Sequence, residues 1–288
     1  MKKNSKYLIL IVIAFLISII SCYKNMPTND VLDSSALKIS YLDVGQADSI
    51  LIECDNKYML IDAGNTEDGP KLVNYFKNNN INEFTYVVGT HAHEDHIGGM
   101  SDIINNFKID DFYMPDVITT TKTFEDTLDA LNNNNIKFQT PKIGDKLYLG
   151  SATLNVLYVG TDNKDLNNSS IVLKLSYGNN KFLFMGDATT SVEKEILTDD
   201  LASDVLKVGH HGSKTSSSKE FLSKVNPKYA IISVGLNNTY NLPSSSTLTK
   251  LNSLNTKIYR TDEDGTIVVT SDTNNISINN IKTDTNGG

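Results

Sequence analysis

All five histidines of the chain lie in two short segments. Residues 90–99 read THAHEDHIGG, and residues 208–213 read VGHHGS. Imidazole is a frequent ligand of transition metals, whereas histidines that only fill core or surface positions would be scattered along the chain. The clustering therefore predicts a metal site that draws ligands from both segments.

The first histidine segment has the spacing of a metal-binding motif. It follows a predicted apolar strand, and residues two apart in extended backbone face the same side. His91 and His93 can therefore hold one metal ion together. Asp95 and His96 follow at a turn, where they can face a second ion beside the first. Glu94 occupies the variable position of the motif, and we expect no role for it.

The HxHxDH pattern of residues 91–96 resembles that of the metallo-β-lactamase superfamily. Four further segments occur in the order typical of its ComEC/Rec2-related branch: DVGQAD (43–48), LIDAG (60–64), FMGDA (184–188) and KVGHHGS (207–213). That branch includes hydrolase domains attached to DNA-uptake channels and stand-alone secreted relatives, and bacterial phosphorylcholine esterases have a similar core. The resemblance implies a single α/β domain, an αββα sandwich with its active site at one edge between two sheets.

The resemblance also implies a ligand set for two metal ions. Six residues match the family's metal ligands: His91, His93, Asp95, His96, Asp187 and His211. Asp187 is expected to bridge both ions. The pattern leaves open which of the adjacent histidines ligates metal; we favour His211, with His210 contacting a phosphoryl oxygen of the substrate. The expected catalytic residues are thus Asp95, Asp187 and His210. Asp62 resembles an outer carboxylate that orients a ligand histidine through its other ring nitrogen.

The sequence departs from the family pattern at two positions. Many members have a further metal-binding histidine before the bridging aspartate, where residues 167–170 read NNSS. Such a segment is common in the ComEC-related branch, and it would leave the first ion with two histidines, the bridging carboxylate and solvent. Leu242 stands where relatives have the histidine of a Gly-His-Pro segment. This difference predicts a slower reaction or a different substrate.

The ligand set predicts two divalent metal ions. Nitrogen ligands favour zinc, and two carboxylates with an open coordination position make manganese a second candidate. Two ions about 4 Å apart activate a water and hold the oxygens of a phosphoryl or carbonyl group. We therefore expect a metal-dependent hydrolase of small or polymeric phosphodiester or related ester substrates. The alternatives are a phosphorylcholine or cell-wall esterase and a non-catalytic binding module that keeps the metal as structure.

The elements that must position these residues are short strands alternating with helices. Strands are predicted at 58–61, 181–185 and 205–208, just before Asp62, Asp187 and the histidine pair, and also at 49–54 and 146–149. Helices are predicted at 123–131 and from a start at residues 97–99. No linker-like change of composition divides residues 36–272, which we interpret as one domain. Residues 22–35 are polar and suit a tether. Residues 273–288 are interpreted as a polar tail, with a last edge strand expected after residue 271.

The N-terminus has the pattern of an export signal. Three lysines precede an apolar run from Tyr7 to Ile20. This run is too short for a membrane-spanning helix, which needs about 20 residues. The segment at 19–22 resembles the lipobox of bacterial lipoproteins, in which Cys22 becomes the lipidated first residue. We predict a lipoprotein signal peptide at residues 1–21 and a lipid anchor on the extracellular face of the cell membrane. An uncleaved anchor is the alternative.

The charge of the chain disfavours nucleic acid as a partner. The formal net charge is −8, and residues 1–21 contribute three lysines and no acid, so the remainder is more acidic still. Non-specific affinity for nucleic acid depends on lysines and arginines that release phosphate counterions. Glu67 and Asp68 are expected to be solvated surface charges.

Overall fold

A computed structural model describes residues 36–282 of the chain. The predicted signal peptide, the predicted tether with Cys22 and residues 283–288 lie outside the described residues. Within 36–282, no helix combines the length and apolar character needed to cross a bilayer.

Fifteen strands form within residues 36–282. In chain order they are β1 (Leu37–Tyr41), β2 (Ser49–Cys54), β3 (Lys57–Ala63), β4 (Glu83–Val88), β5 (Lys108–Tyr113), β6 (Phe138–Gln139), β7 (Lys146–Leu149), β8 (Ala152–Tyr158), β9 (Val172–Tyr177), β10 (Asn180–Phe184), β11 (Val205–Lys207), β12 (Tyr229–Ile232), β13 (Lys257–Arg260), β14 (Thr266–Ser271) and β15 (Ile276–Ile281).

Eight α-helices connect these strands in the described part of the chain. They are α1 (Gly69–Asn78), α2 (Glu94–Ile97), α3 (Met100–Asn106), α4 (Lys122–Asn133), α5 (Thr190–Glu195), α6 (Lys219–Val225), α7 (Ser245–Ser253) and α8 (Thr261–Asp264). Short 3₁₀ turns lie at Thr66–Asp68, Leu166–Ser169 and Gly209–Gly212.

The strands form two sheets of similar design. The first has the order β15-β14-β1-β2-β3-β4-β5-β6, and the second has the order β13-β12-β11-β10-β9-β8-β7. Strands β3 to β6 run parallel in the first sheet, as do β10 to β13 in the second, and the remaining pairs are antiparallel. Each sheet therefore has several carboxyl strand ends along one edge, where an α/β fold places its ligands.

The apolar side chains form three buried layers. Alternate residues of β1 point Leu37, Ile39 and Tyr41 between the sheets, where they pack with side chains such as Phe182 and Phe184 of β10. A second cluster lies between the first sheet and helices α1 to α4, and a third between the second sheet and helices α5 to α7. The layers follow the order helix, sheet, sheet, helix, which confirms the predicted α/β sandwich.

Four strands or α-helices were not predicted from the sequence: β5, β6 and the four-residue helices α2 and α8. A helix start was predicted at residues 97–99, and α3 begins directly after it, at Met100. Strand β5 reads KIDDFY, and because its two buried residues, Ile109 and Phe112, are separated by an acidic pair, the sequence shows no strand-like alternation there. The predicted helix Thr123–Leu131 and strand Lys146–Leu149 correspond to α4 and β7. Strand β15 lies at the edge of the first sheet. It falls in the C-terminal segment where the sequence predicted an edge strand followed by a tail.

Candidate metal centre and active-site cleft

The predicted site residues meet at the carboxyl ends of parallel strands from both sheets. Asp62 lies near the end of β3, and the histidine motif follows β4. In the second sheet, Asp187 follows β10, and the histidine pair follows β11. Asp95 and His96 lie on helix α2 rather than at the turn that the sequence indicated, because α2 begins directly after His93. The two sheets thus contribute facing halves of one site.

Four of the predicted ligands form a compact cluster. Asp95, His96, Asp187 and His211 each offer an atom within 4.8 Å of the others. His96 Nε2 lies 3.3 Å from Asp187 Oδ1. His211 Nε2 lies 3.1 Å from Asp95 Oδ2 and 3.7 Å from Asp187 Oδ2. Two imidazoles and two carboxylates around one point match the donors that bind zinc or manganese.

The other two predicted ligands lie beside this cluster. His91 Nε2 and His93 Nδ1 are 2.9 Å apart, and His91 Nε2 is 4.0 Å from Asp187 Oδ2. Asp187 Oδ2 therefore lies within 4.0 Å of ring nitrogens of both His91 and His211, while its Oδ1 faces His96. This position suits a carboxylate shared by two ions.

Buried hydrogen bonds leave one ring nitrogen of each of two histidines facing the cluster. Asp62 accepts a hydrogen bond from His96 Nδ1 at 2.7 Å, and it also accepts from the backbone N–H and the hydroxyl of Thr90. His211 Nδ1 donates to the carbonyl oxygen of Ser233 at 2.9 Å. In neutral rings the lone pair then lies on Nε2, directed at Asp187 or Asp95.

The polar atoms at the centre of the cluster fit a bound cation. His96 Nε2 and Asp187 Oδ1 are buried and have no hydrogen-bond partner among the described residues. A lone pair and a carboxylate oxygen 3.3 Å apart repel one another unless a proton or metal ion lies between them. Divalent ions satisfy both atoms, so the donors present fit the metal centre that the sequence predicted.

The pKa shifts of the site residues also indicate that positive charge stabilises the cluster. Burial raises the pKa of Asp187 on its own, but neighbouring His96 and His211 outweigh it and hold the pKa well below its usual range. Conversely, burial would lower the pKa of His96, but Asp187 and Asp62 raise it well above its ordinary value. Burial, helped by the charge of His96, lowers the pKa of His91. A metal ion would take over the charge that protons supply in its absence.

Three site residues have the left-handed backbone that favours glycine. The φ angles are 59° at Asp62, 52° at His210 and 50° at His211. Such conformations cost about 1–3 kcal/mol each and persist only where the surroundings hold them. His210 N–H donates to Gly186 O, and Ser216 Oγ donates to Gly209 O. The strain turns two adjacent imidazoles toward Asp187, since His210 Nε2 is 3.8 Å and His211 Nε2 is 3.7 Å from Asp187 Oδ2.

The two glycines after the motif let α2 approach the end of β3. A Cβ on Gly98 would lie 2.3 Å from the backbone carbon of Asn65, and one on Gly99 would lie 2.4 Å from Ala63 O. Gly98 N–H also donates to Gly64 O. Larger side chains at these positions would push the helix that carries Asp95 and His96 away from Asp62.

A buried ion pair that was not predicted from the sequence lies beside the site. Lys207 Nζ lies 2.7 Å from Asp48 Oδ2, and both side chains are buried. Asp48 Oδ1 is 3.5 Å from His211 Nδ1, and Asp48 N–H donates to Asp95 O. A lysine inside the apolar strand β11 was the available signal, because lysine is rarely buried without a partner.

A cleft of about 1020 Å³ opens from the cluster to solvent. His93, Asp95, Asp187, His210 and His211 line its floor, and the side chain of His210 is 26% exposed. Leu242 and Glu94, which are not among the predicted metal ligands, also line the cleft.

Two acidic residues near the cleft have contacts that the sequence did not indicate. Asp68 is buried rather than solvated, because it accepts hydrogen bonds from Asn65 and pairs with Lys71 at 3.0 Å. Glu94 accepts from Thr66 Oγ1 at 3.0 Å and so ties α2 to the loop after β3.

Comparisons with known proteins agree with this architecture. The family model described as the metallo-beta-lactamase superfamily matches residues 42–235. ComE operon protein 3 of Bacillus subtilis is 31% identical over 255 residues, which cover 81% of this chain and 33% of that protein. Recombination protein 2 of Haemophilus influenzae is 29% identical over 244 residues, which cover 83% of this chain and 29% of that protein. The chain thus spans about a third of the length of these relatives.

A solved structure has the same fold. The metallo-beta-lactamase fold protein YhfI of Bacillus subtilis aligns with a TM-score of 0.58 and 10% identity, over 82% of this chain and all of that one. At this identity the likeness concerns the fold.

Proposed function

The chain belongs to the metallo-beta-lactamase superfamily, in its ComEC/Rec2-related branch, and on that premise we propose that it hydrolyses phosphodiester or related ester bonds with two divalent metal ions. The observation that carries the proposal is the position of Asp187. Its two carboxylate oxygens face different histidines, and its Oδ1 and the facing His96 Nε2 are buried without a hydrogen-bond partner in the described structure.

The six sequence-predicted ligands would hold the ions in two groups. His91 and His93 would hold one ion, and Asp95, His96 and His211 the other, with Asp187 shared between the two groups. When bound, the ions would supply an activated water and neutralise charge that develops on the reacting ester. Zinc is favoured by the imidazoles, and manganese remains a candidate because carboxylates supply part of each group.

The chain's own residues would orient and bind the substrate around this centre. Asp62 and Ser233 O hold the outer nitrogens of His96 and His211, so neither ring can rotate away from the cluster. His210 lines the cleft, and its Nδ1 lies 3.0 Å from Thr215 Oγ1, which fixes the plane of the ring. Its Nε2 would then be free to donate a hydrogen bond to a phosphoryl oxygen.

We propose that the reaction takes place on the extracellular face of the cell membrane, with lipidated Cys22 as the anchor. The support is the N-terminal pattern alone: a basic start, a short apolar run and a cysteine at the expected cleavage site. A small or monoanionic substrate suits the acidic chain better than a long nucleic acid does.

Hydrolysis of matched substrates tests the proposal. We expect the protein loaded with zinc or manganese to hydrolyse bis(p-nitrophenyl) phosphate, and to lose this activity on chelation and regain it when metal is restored. Single- and double-stranded DNA at physiological salt should be cleaved more slowly. Efficient cleavage of DNA with no reaction on small diesters would replace the small-substrate assignment with a nuclease. No hydrolysis of any ester or diester by the loaded protein would contradict the enzymatic assignment.

A further inference from the structure

We propose that the cleft binds an apolar substituent of the substrate on a built hydrophobic wall beside the metal centre, so that the preferred substrate is a phosphodiester with one alkyl or aryl arm. The inference rests on the proposed function and adds the chemical class of the group next to the scissile bond.

The apolar wall consists of six side chains that line the cleft outside the ligand cluster. They are Leu42, Val44, Leu72, Tyr75, Tyr240 and Leu242. Four of them belong to the apolar cluster beneath helices α1 to α4, and Leu242 packs against the cluster on the second sheet. Side chains held by two separate cores form a preformed surface, and preformed apolar surfaces bind apolar groups at little ordering cost.

The outer part of the wall is open to solvent. Tyr240 is 70% exposed, and Ile281 of the edge strand β15, which also lines the cleft, is 55% exposed. A tyrosine and an isoleucine left exposed at the mouth of a catalytic cleft gain most when a ligand covers them. Because they share the cavity with Asp187 and His210, a ligand bound to the metal centre can reach them.

The charges at the cleft oppose a second phosphate. Asp43, Glu67 and Glu94 line it, and Lys71 is the one lysine or arginine among the residues that line this cavity. Lys71 is already paired with Asp68. A nucleic acid strand carries a negative charge about every 3.4 Å along its axis, so its next phosphates would meet carboxylates rather than cations. An uncharged apolar arm meets no such repulsion.

The test compares two diesters that share the p-nitrophenolate leaving group: methyl and hexyl p-nitrophenyl phosphate. We expect kcat/KM of the metal-loaded protein to be at least about tenfold higher for the hexyl ester, since burial of two of its five additional methylenes suffices for that factor. Tyr240→Ser and Leu242→Asn should each lower the hexyl-to-methyl ratio by about threefold or more. Tyr148→Ser is the matched control, because Tyr148 is similarly exposed, at 60%, but does not line the cleft.

Binding measurements separate this inference from the proposed function. Titration calorimetry of the metal-loaded protein with hexyl phosphate and with methyl phosphate compares the two binding affinities. It therefore measures what the apolar wall contributes to binding even if neither diester is hydrolysed. A hexyl-to-methyl ratio near one, in both hydrolysis and binding, would overturn the apolar wall while leaving hydrolysis of the methyl ester as support for the proposed function. A third diester, choline p-nitrophenyl phosphate, carries a cationic arm. If it is turned over faster than the hexyl ester, the apolar wall would also be overturned, because the carboxylates at the mouth of the cleft would then select the cationic arm. A ratio that falls equally in Tyr148→Ser would contradict the location.

Discussion

Replacing Lys207 with methionine tests whether the buried ion pair of Asp48 and Lys207 stabilises the fold and the orientation of His211. The ammonium group of Lys207 lies 2.7 Å from Asp48, and neither side chain reaches solvent. Methionine has a similar volume and is apolar, so the packing of strand β11 should be retained. The change leaves the carboxylate of Asp48 buried and unpaired, 3.5 Å from His211 Nδ1.

Loss of one partner from a buried ion pair destabilises a protein by about 3–5 kcal/mol. We expect Lys207→Met to lower the free energy of unfolding of the metal-free protein by this amount. The unpaired Asp48 will also compete with Ser233 O for the Nδ1 proton of His211, so the ring will lose its orientation. Loss of such an outer contact lowers metal affinity by about 10–100-fold.

The assay is denaturant unfolding of the metal-free protein, with zinc affinity measured by competition with a chromophoric chelator. The double variant Asp48→Asn/Lys207→Met removes both charges and should regain most of the stability, because no buried charge remains. Lys228→Met is the matched control. Lys228 pairs with Asp204 at 2.9 Å but is 71% exposed, so its pair should contribute at most about 1 kcal/mol.

Equal effects of Lys207→Met and Lys228→Met on unfolding would refute the reasoning about the buried pair. Unchanged zinc affinity in Lys207→Met, with stability reduced as expected, would show that the pair supports the fold and not the metal centre.

Three further predictions follow from the site and the N-terminus. Carboxylates outweigh burial and raise the pKa of His96 and of His211, so their protons stabilise the metal-free fold below about pH 6.5. Unfolding free energy of the metal-free protein should therefore fall as the pH rises above that value, while zinc affinity rises; a flat profile of both would count against this account. Asp187→Ala should abolish hydrolysis of a small diester, whereas Glu94→Ala should retain most of it; equal losses would contradict the assigned roles. Cys22→Ala should release the protein from the membrane fraction or block its processing, and a fully processed, membrane-bound variant would reject the lipid anchor.

Much of the fold and of the candidate site could be predicted from the sequence, because both depend on local patterns of residues. Strand β2 was predicted with the bounds that the structure has, since its apolar run ends at clear turn residues. The six predicted ligands come together because they lie on the segments that follow β4, β10 and β11, whose apolar patterns are plain, at facing edges of the two sheets. Their chemical roles remain predictions, as does the lipid anchor.

Other features depend on contacts that no local pattern records. Asp68 reads as a surface charge beside Glu67, but the fold turns it inward onto Asn65 and Lys71. The pairing of Asp48 with Lys207 joins residues 159 positions apart: Asp48 lies directly before β2 of the first sheet, and Lys207 lies in β11 of the second. The apolar wall of the cleft likewise joins Leu42 to Leu242, and only the packed structure brings them to one cavity.

The central claim is that the chain builds a centre for two metal ions around Asp187. Elemental analysis of the purified protein, dialysed against trace zinc and manganese, tests it most directly. We predict close to two transition-metal ions per chain, because six ligands suffice for two ions when Asp187 is shared. A content near zero would contradict the metal centre, and a content near one would contradict the shared carboxylate.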